Sequence, residues 1–501
     1  MTSQPTETPH FRVAIVGTGF AGIGMATRLK RAGVDDLVVL ERADDVGGTW
    51  RDNTYPGAAC DVPSHLYSLS FAPNPYWSRS FSPQPEIWDY LVRVAKDEDV
   101  MRHIRFGHEV QEARWVEQAN HWHIRTPMGE LTAQFLISGA GALADPALPD
   151  IPGLTEFDGP VFHSARWDHS ISMRGRRVAV IGTGASAIQF VPEIQPQVDQ
   201  LRVFQRTPPW VIPRHDRNIT RVESWLYRNV PGAQQLARSS IYCARENYVV
   251  GFAKYPKVLK GVEALAKFNM HRHITSPQLR AKLTPNYRAG CKRILLSNDY
   301  YPALAQPNTE VITEGITEVR PHAVVTRDAA GVEHEHPVDT IILGTGFQVT
   351  DPPIAERVIG PDGTRLSEQW GEDAQAFRGT TVSGYPNLFL LLGPNTGLGH
   401  TSQVFMIESQ INYTMQALKH LHDTRTDRLE VRADAQRRYN ERIQENMRGT
   451  VWTSGGCDSW YLNSQGRNTT LWPTFTWRFA LETRRFDEHN YRVNRREDMV
   501  A

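Results

Sequence analysis

FRVAIVGTGFAGIGMATRLKRAGVDDLVVLER, residues 11–42, runs from an apolar segment through three glycines and a helical pattern to a second apolar segment. The first six residues are short, apolar and β-branched, which suits a buried parallel strand. Gly17, Gly19 and Gly22 then form GxGxxG ahead of an amphipathic helix. Such glycines permit a tight turn and let a pyrophosphate sit against the helix N-terminus. The second strand reaches Glu41, whose carboxylate can take both hydroxyls of an adenosine ribose. Glycines alone carry little; strand, turn, helix, strand and acid in this order predict a dinucleotide site.

The same unit recurs in RRVAVIGTGASAIQFVPEI, residues 176–194, with Gly182, Gly184 and Ala187 as GxGxxA and Ser186 inside the turn. LRVFQRT supplies its second strand. Glu41 lies 24 residues after Gly17, and Arg206 lies 24 residues after Gly182. An acid at that position repels a 2′-phosphate, whereas a guanidinium matches the dianion bidentately. The first site is therefore expected to take FAD or NAD and the second NADP, unless Arg206 is an ordinary solvated residue. GGTWRDNTYPGAACD, residues 47–61, tips the first site towards flavin: Gly48, Trp50 and Tyr55 suit a flat isoalloxazine ring, although core aromatics give the same pattern. Ser186 lacks the GxSxG setting of a nucleophile.

These units place the chain in the α/β class, with two Rossmann-like dinucleotide-binding domains and a helical insertion. The expected boundaries are 1–148 with 338–501 for a discontinuous FAD domain, 149–217 with 285–337 for the NADP domain, and 218–284 for the insertion. The run PVDTIILGTGF is read as the return crossing between the domains. The 501 residues hold 55 Lys+Arg and 55 Asp+Glu, so no net field recommends nucleic acid or an acidic membrane. Cys60, Cys243, Cys291 and Cys457 are far apart in sequence, with neither CxxC nor zinc-like spacing. Spacing of that kind predicts four unpaired thiols in a reducing cytosol, with no metal centre and no dithiol redox centre. The polar N-terminal ten residues read as a disordered tip, and no apolar run reaches the roughly 18 residues of a spanning helix. The expected location is cytoplasmic. His121 with His123, and His334 with His336, share strand faces that could hold a metal, but half-exposed hairpin residues are the plainer reading.

One further stretch, FDGPVFHSARWD at residues 157–168, concentrates two aromatics and a histidine where a linker is expected. With GGTWRDNTYPGAACD it makes the chain resemble the type I Baeyer–Villiger monooxygenases, class B flavoprotein monooxygenases. The resemblance implies FAD and NADPH as cofactors, and O2 and a small-molecule ketone as reactants. One oxygen atom would enter next to the carbonyl, through a flavin peroxide, to give an ester or lactone. Sulfide oxidation is a second activity it implies. It assigns Arg293, in NYRAGCKRILLSNDYY, as the catalytic cation, Asp61 as its partner, and Lys292 and Thr207 as cofactor phosphate contacts. Trp460 would close over the cofactor, though its surroundings depart from the family pattern, as does Gly344 in ILGTGF. Phe157, Gly159, His163, Trp167 and Asp168 would form a hinge clasp, with Phe157 and Trp167 anchored in both domains and His163 bonding across the junction. The alternatives are an N- or S-oxygenating flavin-containing monooxygenase, or a sensor that binds both cofactors without turnover. A disulfide reductase would need a cysteine pair that the spacing does not supply. Linear, cyclic, aryl and steroidal ketones all stay open, as does oligomeric state.

Overall fold

The strand His10–Val16 pairs in parallel with Leu37–Leu40 on one side and Gly129–Ser138 on the other. All four residues of Leu37–Leu40 are buried, as a strand covered on both faces requires. These relations come from a computed structural model that describes residues 8–349, 352–457 and 459–495. Most of the expected N-terminal tip lies outside the described residues, and the strand begins at its last residue, His10.

The first sheet continues through Ile104–Arg105 at one edge and through a meander of Glu112–Val116, His121–Thr126 and Gly129–Ser138 towards the other. Two short strands from the second half of the chain, Leu388–Leu390 and Val358–Ile359, complete its eight strands. One hydrophobic core unites helix Phe20–Arg31 with the later helix Gln403–Thr424, so distant parts of the chain close a single unit. His123 meets Glu130, His334 meets Asp328 and His336 meets Thr326.

The second sheet holds five parallel strands, in the order Thr309–Ile312, Gln200–Phe204, Arg177–Ile181, Thr340–Leu343 and Val161–His163. This corrects the boundary expected at 338. Thr340–Leu343 is wholly buried between Arg177–Ile181 and Val161–His163, so the chain leaves the second unit only after Leu343. A fully apolar strand reads the same in either sheet, and only its neighbours assign it.

The stretch 157–168 is likewise no free linker, because Val161–His163 is the edge strand of this sheet. Phe157 packs with Val338 and Ile341 on one face, while the Trp167 ring lies 5.2 Å from Phe162 and 5.3 Å from Phe190 on the other. Both aromatics thus anchor in the second unit, not one in each. His163 accepts the N–H of its neighbour Ala165 at 3.1 Å and touches Phe347, just beyond the strand Thr340–Leu343. Gly159 allows close approach: a Cβ there would lie 2.4 Å from the Asp339 carbonyl. Asp168 caps its own turn through Ser170.

Residues 218–284 form the helices Arg221–Asn229, Ala233–Glu246, Lys260–His273 and Pro277–Leu283. Their contacts extend well beyond the second unit. Arg238 donates to the carbonyls of His65 and Ser68, each at 2.8 Å, so the insertion also clasps the first. No helix of the described residues is long and apolar enough to cross a membrane.

Candidate active site

Each glycine turn has the shape its sequence demands. Gly17 has φ +92°, a conformation that disfavours any side chain. A Cβ on Gly22 would sit 1.8 Å from the Gly17 carbonyl oxygen, so helix and turn can meet only there without one. Gly48 backs onto Gly19, with 3.2 Å between its would-be Cβ and the Gly19 Cα. At Gly19 and Gly184, by contrast, an added Cβ would meet nothing within 4 Å. These open cradles lie at the starts of the helices beginning at Phe20 and Ala187, where backbone N–H groups are free to receive phosphate oxygens. The residues present fit two dinucleotides. Glu41 is buried and accepts from the Thr18 N–H at 3.0 Å and its hydroxyl at 2.5 Å, with Arg51 at 3.1 Å. In the second unit Ser186 precedes the helix, Ala187 is fully buried, and Arg206 is exposed just beyond the strand Gln200–Phe204. Thr207 follows it, and its carbonyl takes the Thr183 hydroxyl at 3.4 Å.

Between the units lies an ion pair. Asp61 ends the loop that follows the first unit's glycine pair. Arg293 lies two residues before the two-residue strand Leu295–Leu296, which pairs with Val211–Ile212. The guanidinium grips the carboxylate bidentately, Nε to Oδ2 at 2.7 Å and Nη2 to Oδ1 at 2.8 Å, across 232 residues of sequence. Both side chains are about one-third exposed, at 34% and 28%. Such access leaves room for a reactant. Burial works against the Asp61 charge, but Arg293 outweighs it and holds the carboxyl below its ordinary range. Asp61 in turn holds Arg293 above an already high value, so the cation persists at every working pH.

The backbone around the pair is also held. Arg245 donates to the Asp61 carbonyl at 3.0 Å, Arg214 to the Cys60 carbonyl at 3.0 Å, and Arg293 Nη1 reaches the Leu398 carbonyl at 3.4 Å. Lys292 places its ammonium 5.5 Å from the Tyr287 ring centre. Trp50 is half-buried and donates to the Tyr67 hydroxyl at 3.1 Å. Tyr55 turns towards the second unit: its hydroxyl donates to Gln189 at 2.9 Å and its ring meets Phe190. These contacts make it a strut across the junction, a role its sequence pattern did not suggest.

Trp460 is half-exposed against Tyr461, while Tyr461 itself is buried close enough to the Arg293–Asp61 pair to feel both charges. The expectation of four unpaired thiols is overturned, because Cys291 and Cys457 form a disulfide. Cys60 and Cys243 are free. The bond ties the Arg293 segment to the C-terminal segment carrying Tyr461, helped by an Arg288 N–H to Gly455 carbonyl bond at 3.0 Å. With the two cysteines 166 positions apart in sequence, spacing could not have announced it. Arg245, Leu398 and Tyr461 were also missed. Each acts through a long-range contact, and none stands in a motif.

Comparisons with known proteins give the chain's family and fold. Residues 14–250 match a family described as pyridine nucleotide-disulphide oxidoreductase. A Baeyer–Villiger monooxygenase of Streptomyces coelicolor is 54% identical over 488 residues, covering 97% of this chain and 93% of that protein. Among solved structures, a cyclohexanone monooxygenase from Rhodococcus sp. Phi1 bound to NADP+ superposes with a TM-score of 0.85 at 26% identity, covering 98% of this chain and all of that one. The OTEMO complex with FAD and NADP gives 0.86 at 24% identity, over 97% and 100% of the two chains, a likeness of fold.

Proposed function

The chain belongs to the Baeyer–Villiger monooxygenase family, and from that premise we infer that it binds FAD in its first unit and NADP(H) in its second. Its reaction is the NADPH-dependent insertion of one oxygen atom of O2 next to a ketone carbonyl, giving an ester or lactone. The observation that carries the site assignment is the bidentate Arg293–Asp61 pair, one-third exposed between the two cradles.

When bound, FAD reduced by NADPH supplies the activated oxygen. The chain's own residues prepare the place for it. Gly17, Gly19, Gly22 and Gly48 shape the first cradle and Glu41 stands over its ribose position. Gly182, Gly184 and Ser186 shape the second, while Arg206, Thr207 and Lys292 supply contacts for phosphate. Arg293 offers a fixed positive charge where negative charge develops on oxygen, which is worth most in a partly dry site. Asp61 orients that guanidinium and tempers its charge. Trp50 and Trp460 flank the flavin and the cofactor entrance in this reading. A cytoplasmic setting is part of it through the need for NADPH, since the cysteine argument for a reducing compartment falls with the Cys291–Cys457 bond.

The test is to give the FAD-loaded enzyme NADPH with a panel of linear, cyclic, aryl and steroidal ketones and sulfides, and identify products by mass spectrometry. Wild type is expected to form esters. Arg293→Ala is expected to form none, with NADPH oxidation surviving as hydrogen peroxide release. An undiminished ester yield in that variant removes Arg293 from the chemistry.

A further inference from the structure

The helix Ala233–Glu246 ends on two charged residues, Arg245 and Glu246, and the second is placed against elementary preferences. A carboxylate in the last turn of a helix opposes the helix dipole, and a buried one also loses hydration. Glu246 is nonetheless 6% exposed. Apart from Tyr242 on the same helix, its partners are tertiary. Oε1 accepts from His400 Nε2 at 3.0 Å, from the Thr476 N–H at 3.0 Å and from the Thr476 hydroxyl at 2.9 Å. Oε2 receives the Tyr242 hydroxyl at 3.4 Å. Burial works against the charge, but the His400 and Thr476 donors outweigh it and keep the carboxyl ionised. The neighbouring Arg245 reaches the opposite way, to the Asp61 carbonyl at 3.0 Å.

These two bonds bracket the ion pair. His400 lies two residues beyond Leu398, whose carbonyl accepts from Arg293 Nη1. Asp61 holds the other edge of the same guanidinium. One helix end therefore fixes both supports of Arg293 at once. The His400 side chain is wholly buried and its Nδ1 has no partner among the described residues. A ring held by a carboxylate with its second nitrogen unmatched is a costly arrangement to keep in a core, and such violations concentrate where function needs them.

We propose that Arg245 and Glu246, with His400, are positioning residues of the oxygen-insertion site: through the Asp61 and Leu398 carbonyl segments they hold Arg293 where the ketone adduct forms. The inference rests on the function proposed above. The helical insertion thereby acts on catalysis from outside the reacting groups. A misplacement of about 1 Å in such a support can cost on the order of a hundredfold in the step it serves.

The experiment compares wild type with Glu246→Gln, His400→Leu and Arg245→Met, each as FAD-loaded enzyme. Four quantities are read: flavin content, melting temperature, NADPH oxidation rate, and the partition between ester and hydrogen peroxide. Hydrogen exchange over 396–402 and 59–62, in flavin-loaded and flavin-free protein, gives a readout independent of turnover. The expected result is unchanged flavin content and near-unchanged NADPH oxidation, with the ester-to-peroxide ratio falling roughly tenfold or more. Glu246→Gln should deprotect 396–402, and Arg245→Met should deprotect 59–62. A partition that stays at the wild-type value in all three variants overturns the proposal. So does a partition that falls only in step with flavin loss and melting temperature, since a purely structural role would do that. If wild type itself makes no ester, the function proposed above fails instead.

Discussion

Arg206 is exposed where Glu41 is buried, although the two stand at equivalent places in their units. A residue that takes neutral ribose hydroxyls can be held in advance, as Glu41 is by Thr18 and Arg51. One meant for a dianionic ligand can wait in solvent. Charge-assisted bonds of this type contribute about 1.5–3 kcal/mol, so Arg206→Ala should raise KM for NADPH roughly tenfold to a hundredfold with kcat little changed and NADH unaffected. Steady-state kinetics with both cofactors checks this, and equal losses for both would assign Arg206 to stability. His163 makes the opposite case. Burial pushes its pKa down to about 4, from an ordinary value near 6.5. The unfolded chain then binds the proton more readily than the folded one, so stability should fall as pH drops from about 6.5 towards 4. His163→Gln should flatten that limb in melting curves taken across the range.

The C-terminal segment beside Arg293 is held by a disulfide, a backbone bond and a buried apolar cluster. The segment carrying Tyr461 has little regular structure, and the Cys291–Cys457 bond fixes it against the strand-entry carrying Arg293. Closing a long loop commonly contributes about 2–4 kcal/mol through the unfolded state. Cys457→Ser, or reduction of the native chain, should therefore lower the melting temperature by several degrees. A thiol titration of unfolded, unreduced protein should find two thiols, Cys60 and Cys243. Four would remove the bond. The stretch 157–168 is likewise placed by its neighbours: its edge strand and both aromatics belong to the second unit.

Across the whole molecule, the helix Ala187–Ile194 adds polar contacts between the two units to those of Arg293 and Arg214. Gln189 accepts the Tyr55 hydroxyl at 2.9 Å and donates to the Ala59 carbonyl at 2.9 Å, two residues before Asp61. A leucine there leaves that carbonyl and that hydroxyl without their partner, a loss of about 1–3 kcal/mol for each group that water cannot reach. Gln189→Leu should lower the melting temperature by a few degrees and raise hydrogen peroxide release per NADPH. Unchanged values in calorimetry and peroxide assay would leave the junction held by other contacts. The helical insertion is a further connection, through Arg238 on one side and Arg245 with Glu246 on the other.

The local patterns needed no third dimension. Strand, glycine turn and helix are contiguous, and the glycines at 17, 22 and 182 are dictated by φ or by contacts within a few residues or the adjoining strand. Motifs 47–61 and 157–168 were equally legible, and with them the family and its chemistry. The sheet that owns Thr340–Leu343, the anchoring of Trp167, the Cys291–Cys457 bond and the bracket of Arg245 and Glu246 were not. Each depends on which distant segment arrives beside it, over separations from 154 to 232 residues for the contacts of Thr340–Leu343, Cys291, Glu246 and Arg293. An apolar strand, a lone cysteine and a helix-terminal acid each satisfy local rules in many ways. Packing removes all but one, because only the assembled core settles where burial and hydrogen bonding can be met together.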